Sequence, residues 1–343
     1  MRRTYILMML FAVSAVLVPS SGYCETNALS GAIVMNQTAG ARQLGMGDAF
    51  TAVADDVNTL SYNPAGLANL GKVEASFTNF WGLDGMSSQF VGGSLPVGTL
   101  FTFAGSAAML NSGKVLVNTT NDDGSIATED EEIDGLQEML VTFGLGRDIG
   151  KSLSAGAAFK LLQSTIAGEY STSGFAFDAG MLYRVLYQEL TEFTVGVSYM
   201  NKRLSGKIKY LPDTPDDYAD EMPTTVRAGA MFLQRWGGYY GDSNSIMLAL
   251  DGLLPSDSAF MVNTGLEGKF DIKTAKLALR AGMKYNYGPY LLAFSGGLGL
   301  EVKSLNVDLS FCPMAYLGTV FRVSVSMKLG GGESKEEGDW YWE

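Results

Sequence analysis

The chain repeats, in segment after segment, a two-residue alternation of apolar side chains with small or charged ones. From position 276 to 285 the apolar members are Leu277, Leu279, Ala281, Met283 and Tyr285, and between them lie Lys276, Ala278, Arg280, Gly282 and Lys284. The segments 152–161, 193–199 and 320–329 sort in the same way. Successive side chains of a β-strand point to opposite faces, so this period predicts strands with one apolar face.

Composition indicates whether those apolar faces pack into a protein core or face lipid. Of the 343 residues, 42 are Gly and 47% are hydrophobic. No uninterrupted apolar run of ~18 residues follows the first ~20 positions, which excludes a later transmembrane helix. A soluble sandwich exposes bulky polar residues, whereas the second face here is mostly Gly, Ala and Ser with isolated Arg and Lys. Such a face suits a crowded barrel interior, so we predict an all-β, transmembrane antiparallel β-barrel rather than a sandwich.

The alternation predicts about fourteen strands of ~10 residues, close to the length that a tilted membrane strand needs. They are expected to begin at Lys72, Ser87, Thr99, Gln137, Lys151, Gly174, Glu192, Pro223, Ser245, Phe260, Lys276, Leu291, Ser304 and Thr319. The longest connections, 110–136 and 201–222, are the third and the seventh. Outer-membrane barrels keep short turns on the periplasmic side, so both ends of the barrel, residues 72–329, are expected there.

The N-terminus predicts export. Arg2 and Arg3 precede an apolar run at 6–18, and small residues break that run before Cys24, so residues 1–24 are expected to be a signal peptide. Its removal leaves Cys312 as the single cysteine, and no intramolecular disulfide can form. The mature net charge becomes 24 − 2 − 36 = −14, against −12 for the whole chain. Residues 330–343, glycine-rich and then aromatic, are expected to be a flexible tail or a partner-binding peptide.

The chain contains no His. This excludes Ser-His-Asp and Cys-His catalysis and removes the usual His ligands of zinc, so neither an enzyme nor a cofactor or metal is expected. The acidic balance also argues against a nucleic-acid partner.

Acidic residues crowd the two longest connections. They are Asp122, Asp123, Glu129, Asp130, Glu131, Glu132 and Asp134 in one, and Asp213, Asp216, Asp217, Asp220 and Glu221 in the other. Carboxylates could hold Ca²⁺, but the spacing matches no EF-hand, and solvated acidic loops are the favoured interpretation.

The stretch 44–68 differs from the rest of the chain, because it is compact, turn-rich and compatible with helix. We predict that residues 25–71 form a plug inside the barrel, with functional positions at Gly45, Gly47, Asp48, Asp55, Asp56, Asn63, Pro64 and Gly66. Asn63 can bond nearby backbone, Pro64 presets its own φ, and Gly66 allows tight passage. This turn is interpreted either as a gating hinge or as a simple turn into the first strand.

The small and charged strand faces would line the lumen and make it basic. The positions concerned are Lys160, Arg184, Arg227, Arg280, Lys284, Arg322 and Lys328. One hypothesis is that Asp48, Asp55 and Asp56 of the plug dock onto this basic wall. The alternative is that lumen charges satisfy one another, with Asp178 as one partner.

Residues 40–56, GARQLGMGDAFTAVADD, followed by Tyr62-Asn63-Pro64-Ala65-Gly66-Leu67, resemble the PorV/PorQ family of outer-membrane proteins, a branch of the FadL-type transporters of hydrophobic compounds. The resemblance implies a barrel of about fourteen strands plugged by its N-terminal segment. Residues 316–323 are similar to the terminal-strand signal read by the barrel-assembly machinery, which is therefore an expected partner.

The resemblance implies two functions. FadL-type members pass hydrophobic compounds through a lumen and a lateral opening, whereas PorV-type members receive cargo of type IX secretion. We expect an outer-membrane channel for hydrophobic small molecules, gated by the plug. The alternative is a non-transporting protein that receives or anchors secreted proteins.

Overall fold

The computed structural model describes residues 31–82, 85–121, 126–211, 215, 219–237, 244–287, 291–314 and 318–329. The predicted signal peptide 1–24 and tail 330–343 lie outside these residues. One short α-helix, α1 (Ala41–Gly45), and three 3-10 helices (Ile33–Asn36, Val57–Ser61 and Pro64–Asn69) precede the strands. Among the described residues, none of the helices has the length and apolarity to cross a membrane.

Sixteen strands follow in the described part of the chain. They are β1 (Val73–Trp81), β2 (Ser87–Val97), β3 (Phe101–Asn111), β4 (Lys114–Thr120), β5 (Ile126–Asp134), β6 (Leu136–Ile149), β7 (Leu153–Ile166), β8 (Tyr170–Tyr187), β9 (Thr191–Arg203), β10 (Thr225–Trp236), β11 (Asn244–Pro255), β12 (Met261–Asp271), β13 (Lys276–Asn286), β14 (Leu291–Val302), β15 (Leu305–Met314) and β16 (Gly318–Leu329).

Fourteen of these strands close into an antiparallel barrel. Each pairs with the next around the ring, β3 pairs with β6, and β1 pairs with β16 to complete the closure. The predicted fold class is confirmed, and the largest offset in a predicted strand start is at β8, which begins at Tyr170 rather than Gly174. We call the end at which β1 begins and β16 ends the terminal end, and the opposite end the far end.

The alternation has the orientation expected for a barrel in a membrane. In β13, Ala278 and Arg280 are buried in the lumen, whereas Leu279 between them is 44% exposed on the outer surface. In β16, Arg322 is buried and the adjacent Phe321 is 55% exposed. An apolar outer surface around a polar interior inverts the arrangement of a soluble protein, and lipid provides the medium in which it is stable.

The connection 110–136 is not the acidic loop that was predicted. Its described residues form a separate two-stranded sheet of β4 and β5, in which Lys114 lies opposite Asp134. The hairpin was missed because β5 is rich in Glu and Asp, which are depleted in strands. Lys114 and Glu132 form an exposed ion pair of 3.2 Å, whereas Asp122 and Asp123 lie outside the described residues.

The segment 31–71, the described part of the predicted plug, fills the barrel. Most of its apolar side chains are buried, and Phe50, Leu60 and Leu67 are fully buried. Asp56 and Asn63 cap the second and third 3-10 helices, since their side chains accept hydrogen bonds from the backbone N–H groups of Asn58 and Ala65. The plug is thus a chain of short, capped turns rather than one long helix.

Candidate functional site

The interface between the plug and the barrel wall is the candidate site, because it holds most of the residues singled out in the sequence. At the Asn63-Pro64 turn, the Asn63 side chain is fully buried. Its Oδ1 accepts a hydrogen bond from the N–H of Ala65 (3.1 Å), and its Nδ2 donates to the carbonyls of Thr51 (2.9 Å) and of Met181 in β8 (3.1 Å). One side chain therefore caps a helix and attaches it to the wall.

Gly66 lies at the tightest point of the same turn. A Cβ there would collide with the Thr59 hydroxyl and with the Ala54 carbonyl. Only glycine fits, which agrees with the tight passage expected from the sequence.

Asp48 is the plug acid that the structure brings to the basic wall. Gly47 and Asp48 are both in the left-handed region, with φ of 61° and 58°. The Asp48 carboxylate pairs with Lys284 and accepts hydrogen bonds from the hydroxyls of Thr38 (2.6 Å) and Tyr62 (2.7 Å). Burial alone would raise the pKa of Asp48, but Lys284 and the two hydroxyls lower it to about 2. Asp48 is therefore charged at neutral pH.

Asp55 and Asp56 are placed differently from the docking hypothesis. Both contact Arg42 of α1, at 2.5 Å from Nη1 to Asp55 Oδ1 and 3.4 Å from Nη1 to Asp56 Oδ2. The reason is local: α1 lies against this turn, so the plug supplies its own cation. Burial tends to raise both pKa values. For Asp55 the charge of Arg42 outweighs burial, and its pKa is lowered overall. The pKa of Asp56 stays raised, because the negative charge of Asp55 adds to the effect of burial.

Arg42 also contacts the barrel wall, where its partner is a wall acid. The docking hypothesis had instead paired plug acids with wall bases. Its Nε lies 2.9 Å from Glu267 Oε2 in β12. Glu267 also binds Arg280 (2.6 Å), and Arg280 binds Asp308 (2.6 Å). The result is a buried row of alternating charges from the plug into β12, β13 and β15, in which each charge has a partner of opposite sign.

Wall carboxylates also hold the plug backbone, which the sequence reasoning missed. Asp251 Oδ2 in β11 accepts hydrogen bonds from the backbone N–H groups of Phe50 (3.0 Å) and Thr51 (2.9 Å). Glu138 in β6 accepts one from the N–H of Val34 (2.7 Å). These acids occupy inward positions of their strands, and the alternation of the sequence could have predicted that placement. The sequence analysis assigned contacts with the plug only to the basic inward residues.

Of the other basic residues predicted to line the lumen, some contact the plug and others contact the wall. Arg227 donates to the Asp48 carbonyl (2.9 Å), and Arg322 donates to the Thr38 carbonyl. Arg184 donates to Asn69 Oδ1 of the plug (2.5 Å) and pairs with Asp148. Lys160 instead pairs with Asp178 at 2.7 Å, both buried, as the alternative reading of the lumen charges proposed. Lys328 lines a cavity described below.

A belt of wall glycines lets the plug backbone touch the wall backbone. The glycine belt consists of Gly146, Gly156, Gly180, Gly196, Gly229, Gly265, Gly282 and Gly297, one on each of β6–β10 and β12–β14. A Cβ at Gly265 would lie 2.6 Å from the Met46 carbonyl oxygen, and one at Gly297 would lie 3.2 Å from the Cα of Gly45. Side chains on the belt would therefore push the plug away.

Two of the cavities between the plug and the wall of the described structure are small. The first, about 80 Å³, lies near the terminal end, and the second, about 20 Å³, lies near the far end. Both are well below the ~300 Å³ of a typical small-molecule pocket. Neither cavity can hold such a molecule in this conformation. Among the described residues, no three carboxylate or thiol groups are placed to hold a metal ion.

No family model matches the chain, and no curated protein matches it significantly. Solved structures do. The CymD monoaromatic hydrocarbon channel has a TM-score of 0.53 at 9% identity, covering 85% of this chain and 97% of that one. A FadL homologue of Pseudomonas aeruginosa has 0.52 at 11% identity, covering 87% and 100%. A deltaS2 mutant of the TodX monoaromatic hydrocarbon channel has 0.51 at 12% identity, covering 84% and 98%.

This chain shares their fold. At these identities the similarity concerns the fold alone, so the function has to be argued from the residues of this chain. The PorV/PorQ resemblance stays a prediction.

Proposed function

We propose that this chain is an outer-membrane barrel through which hydrophobic small molecules pass when its plug moves. Residues 1–24 would direct export, the barrel-assembly machinery would insert residues 72–329, and residues 25–71 would act as the gate. The fold shared with hydrocarbon channels and the apolar outer surface support this proposal.

The observation that carries it is an apolar cluster at the far end of the lumen. Val34 and Met35 of the plug pack there against Leu140 of the wall and against Ile208 and Met222 of the β9–β10 connection. All five are buried. An apolar molecule that arrives at this end would find a matching surface here, and it could replace the plug side chains without leaving apolar area in water.

Uptake of a fluorescent hydrophobic probe into proteoliposomes tests this proposal. We expect Val34→Asp to reduce uptake, because a charge in the cluster is costly to bury. Ile33→Asp is the matched control, since the adjacent Ile33 is 48% exposed and lies outside the cluster. Heat-modifiable migration on a denaturing gel shows which variants are folded. Equal uptake by the two folded variants would count against the cluster as the binding site.

A second candidate function is that of a non-transporting protein that receives or anchors secreted proteins. The observation that favours it is the tight seat of the plug, which contacts the glycine belt directly and is held by buried carboxylates. The protruding β4–β5 hairpin would then be a contact element. Deleting residues 114–134 should abolish co-purification of a secreted partner under this function, and should leave probe uptake unchanged under the first.

A further inference from the structure

The plug contacts the wall unevenly around the barrel. On β6–β10 and β12–β14 the glycine belt lets the plug approach the wall closely. The strands β15, β16, β1, β2 and β3 contribute no member to this belt, although α1 also lies close to β15. The wall therefore meets the plug mainly through glycines on one side and through larger side chains on the other.

Buried hydroxyls without a partner among the described residues occur on strands of the second side and on the adjacent β14. They are Ser295, Ser310, Ser76 and Ser94, one on each of β14, β15, β1 and β2, and all are more than nine-tenths buried. The Nε of Arg322 on β16, between them, also lacks a partner in the described part of the chain. By contrast, Ser198 on β9, equally buried, donates to the Tyr62 carbonyl of the plug at 2.7 Å.

Buried hydroxyls are nearly always hydrogen-bonded, to protein or to ordered water. Five neighbouring strands that each carry an unpartnered polar group at the lumen therefore indicate a hydrated zone. The larger cavity borders this zone and is lined by Ser76, by Ser324 and Ser326 of β16, and by Asn58 of the plug, whose Oδ1 is also unpartnered among the described residues. Its volume of about 80 Å³ is enough for several waters, each of which needs ~10–15 Å³ on this measure.

The smaller cavity continues the zone toward the far end. Ser88 of β2 and Ser106 of β3 line it, together with Thr38 and Ala39 of the plug. The larger cavity reaches the plug at Arg42, so along the plug chain only Gly40 and Ala41 separate the residues that line the two cavities. The Ala41 N–H is bonded to Ser324 at 2.8 Å, so this separating segment carries a polar contact with β16.

The charges of the larger cavity are balanced. Its lining contains five acids (Asp55, Asp56, Glu74, Glu301 and Asp308) and five bases (Arg42, Lys269, Lys276, Arg280 and Lys328). A lining of this kind is strongly hydrated but has no large excess of either sign, so it does not select for anions or cations by charge alone.

We propose that β14–β16, β1 and β2 form, with the facing side of the plug, a hydrated seam through which water and small polar solutes cross the barrel while the plug stays seated. This activity goes beyond the passage of hydrophobic molecules and does not require the plug to move. The segment at Gly40 and Ala41, which stands between the residues that line the two cavities, sets its rate.

Thiol labelling of full-length protein in liposomes tests the position of the seam. Ser76→Cys and Ser310→Cys are made in a Cys24→Ser, Cys312→Ser background, because the two native cysteines could otherwise react. A small water-soluble methanethiosulfonate should label both at least about tenfold faster than Ser198→Cys, the matched buried serine on the belt side. Equal, slow labelling of all three would overturn the seam.

Solute flux tests whether the seam is a route. Liposomes that contain the unmodified protein should take up urea faster than protein-free liposomes, and Ser76→Phe should slow that uptake by about fivefold by filling the seam. Protease resistance of the plug, measured in the same liposomes, shows that it stays seated. Flux equal to that of protein-free liposomes would overturn the proposal even if the thiols are labelled, because the water would then be static. This comparison uses the unmodified chain and holds even if Ser76→Phe fails to fold.

Discussion

At the scale of single residues, the plug is held by charges of both signs on the wall. Lys284 binds a plug carboxylate, whereas Glu267 binds a plug guanidinium and Asp251 binds plug backbone N–H groups. Removing one partner of such a buried pair leaves the other charge unsatisfied, which costs more than the pair itself contributes. Single substitutions at these positions should therefore loosen the plug without disturbing the barrel strands.

Asp48 gives the plug a specific dependence on pH. Its pKa is about 2 in the folded protein against 3.8 for an ordinary aspartate, so its contribution is complete above pH 3.8 and is lost as the pH falls toward 2. A shift of this size corresponds to about 2 kcal/mol. Limited proteolysis of the plug at pH values between 2 and 6, compared for the unmodified chain and Asp48→Asn, measures this contribution by difference.

We expect the plug of the unmodified chain to be the more protected above pH ~4 and the difference to shrink toward pH ~2. Asp56, whose pKa is raised, titrates in both proteins and cancels in the comparison. A difference that stayed constant over this range would show that Asp48 acts through shape rather than charge.

At the scale of elements, the glycine belt determines how closely the plug can approach the strands. Gly265→Ala would place a Cβ 2.6 Å from the Met46 carbonyl oxygen, closer than real contacts allow. Gly265 is fixed in β12, and the Met46 carbonyl belongs to the backbone at the C-terminal cap of α1, so the plug has to shift. We expect faster proteolysis of the plug and greater probe uptake in this variant, with the barrel still folded.

Gly93→Ala is the control for that substitution. Gly93 lies in β2, and an added Cβ would be 3.4 Å from the Glu74 carbonyl oxygen, an ordinary contact. It should behave like the unmodified chain. If both variants leave the plug as resistant to protease as before, the belt does not set the position of the plug.

The strands could be predicted from the sequence because their two faces meet different media, which imposes a period of two on every segment. The β4–β5 hairpin could not, since its strands lie outside the barrel and face no such contrast. The contacts of the plug were harder still. Asp251 and Glu267 occupy inward positions like Arg280 and Lys284, and only the register of neighbouring strands decides which charge meets the plug.

At the scale of the whole molecule, the barrel and the plug depend on different interactions. Every barrel strand pairs with two neighbours, and the ring closes between β1 and β16 without any plug residue. Several lumen charges also find partners within the wall, as Arg280 does with Asp308 and Lys160 does with Asp178. The plug adds contacts to a barrel that already satisfies its own backbone.

Deleting residues 31–71 should therefore leave a folded barrel with an open lumen. Backbone hydrogen bonds between strands, which dominate stability in lipid, are all retained, whereas Glu267 and Asp251 lose partners but gain water in the emptied interior. We expect the heat-modifiable gel shift to persist. The conductance in planar bilayers should rise by at least about tenfold, because the plug no longer fills the lumen of the barrel. Loss of the gel shift would mean instead that the plug is needed for the barrel to close, and that its ion pairs to β12 and β13 act during folding as well as in the finished structure.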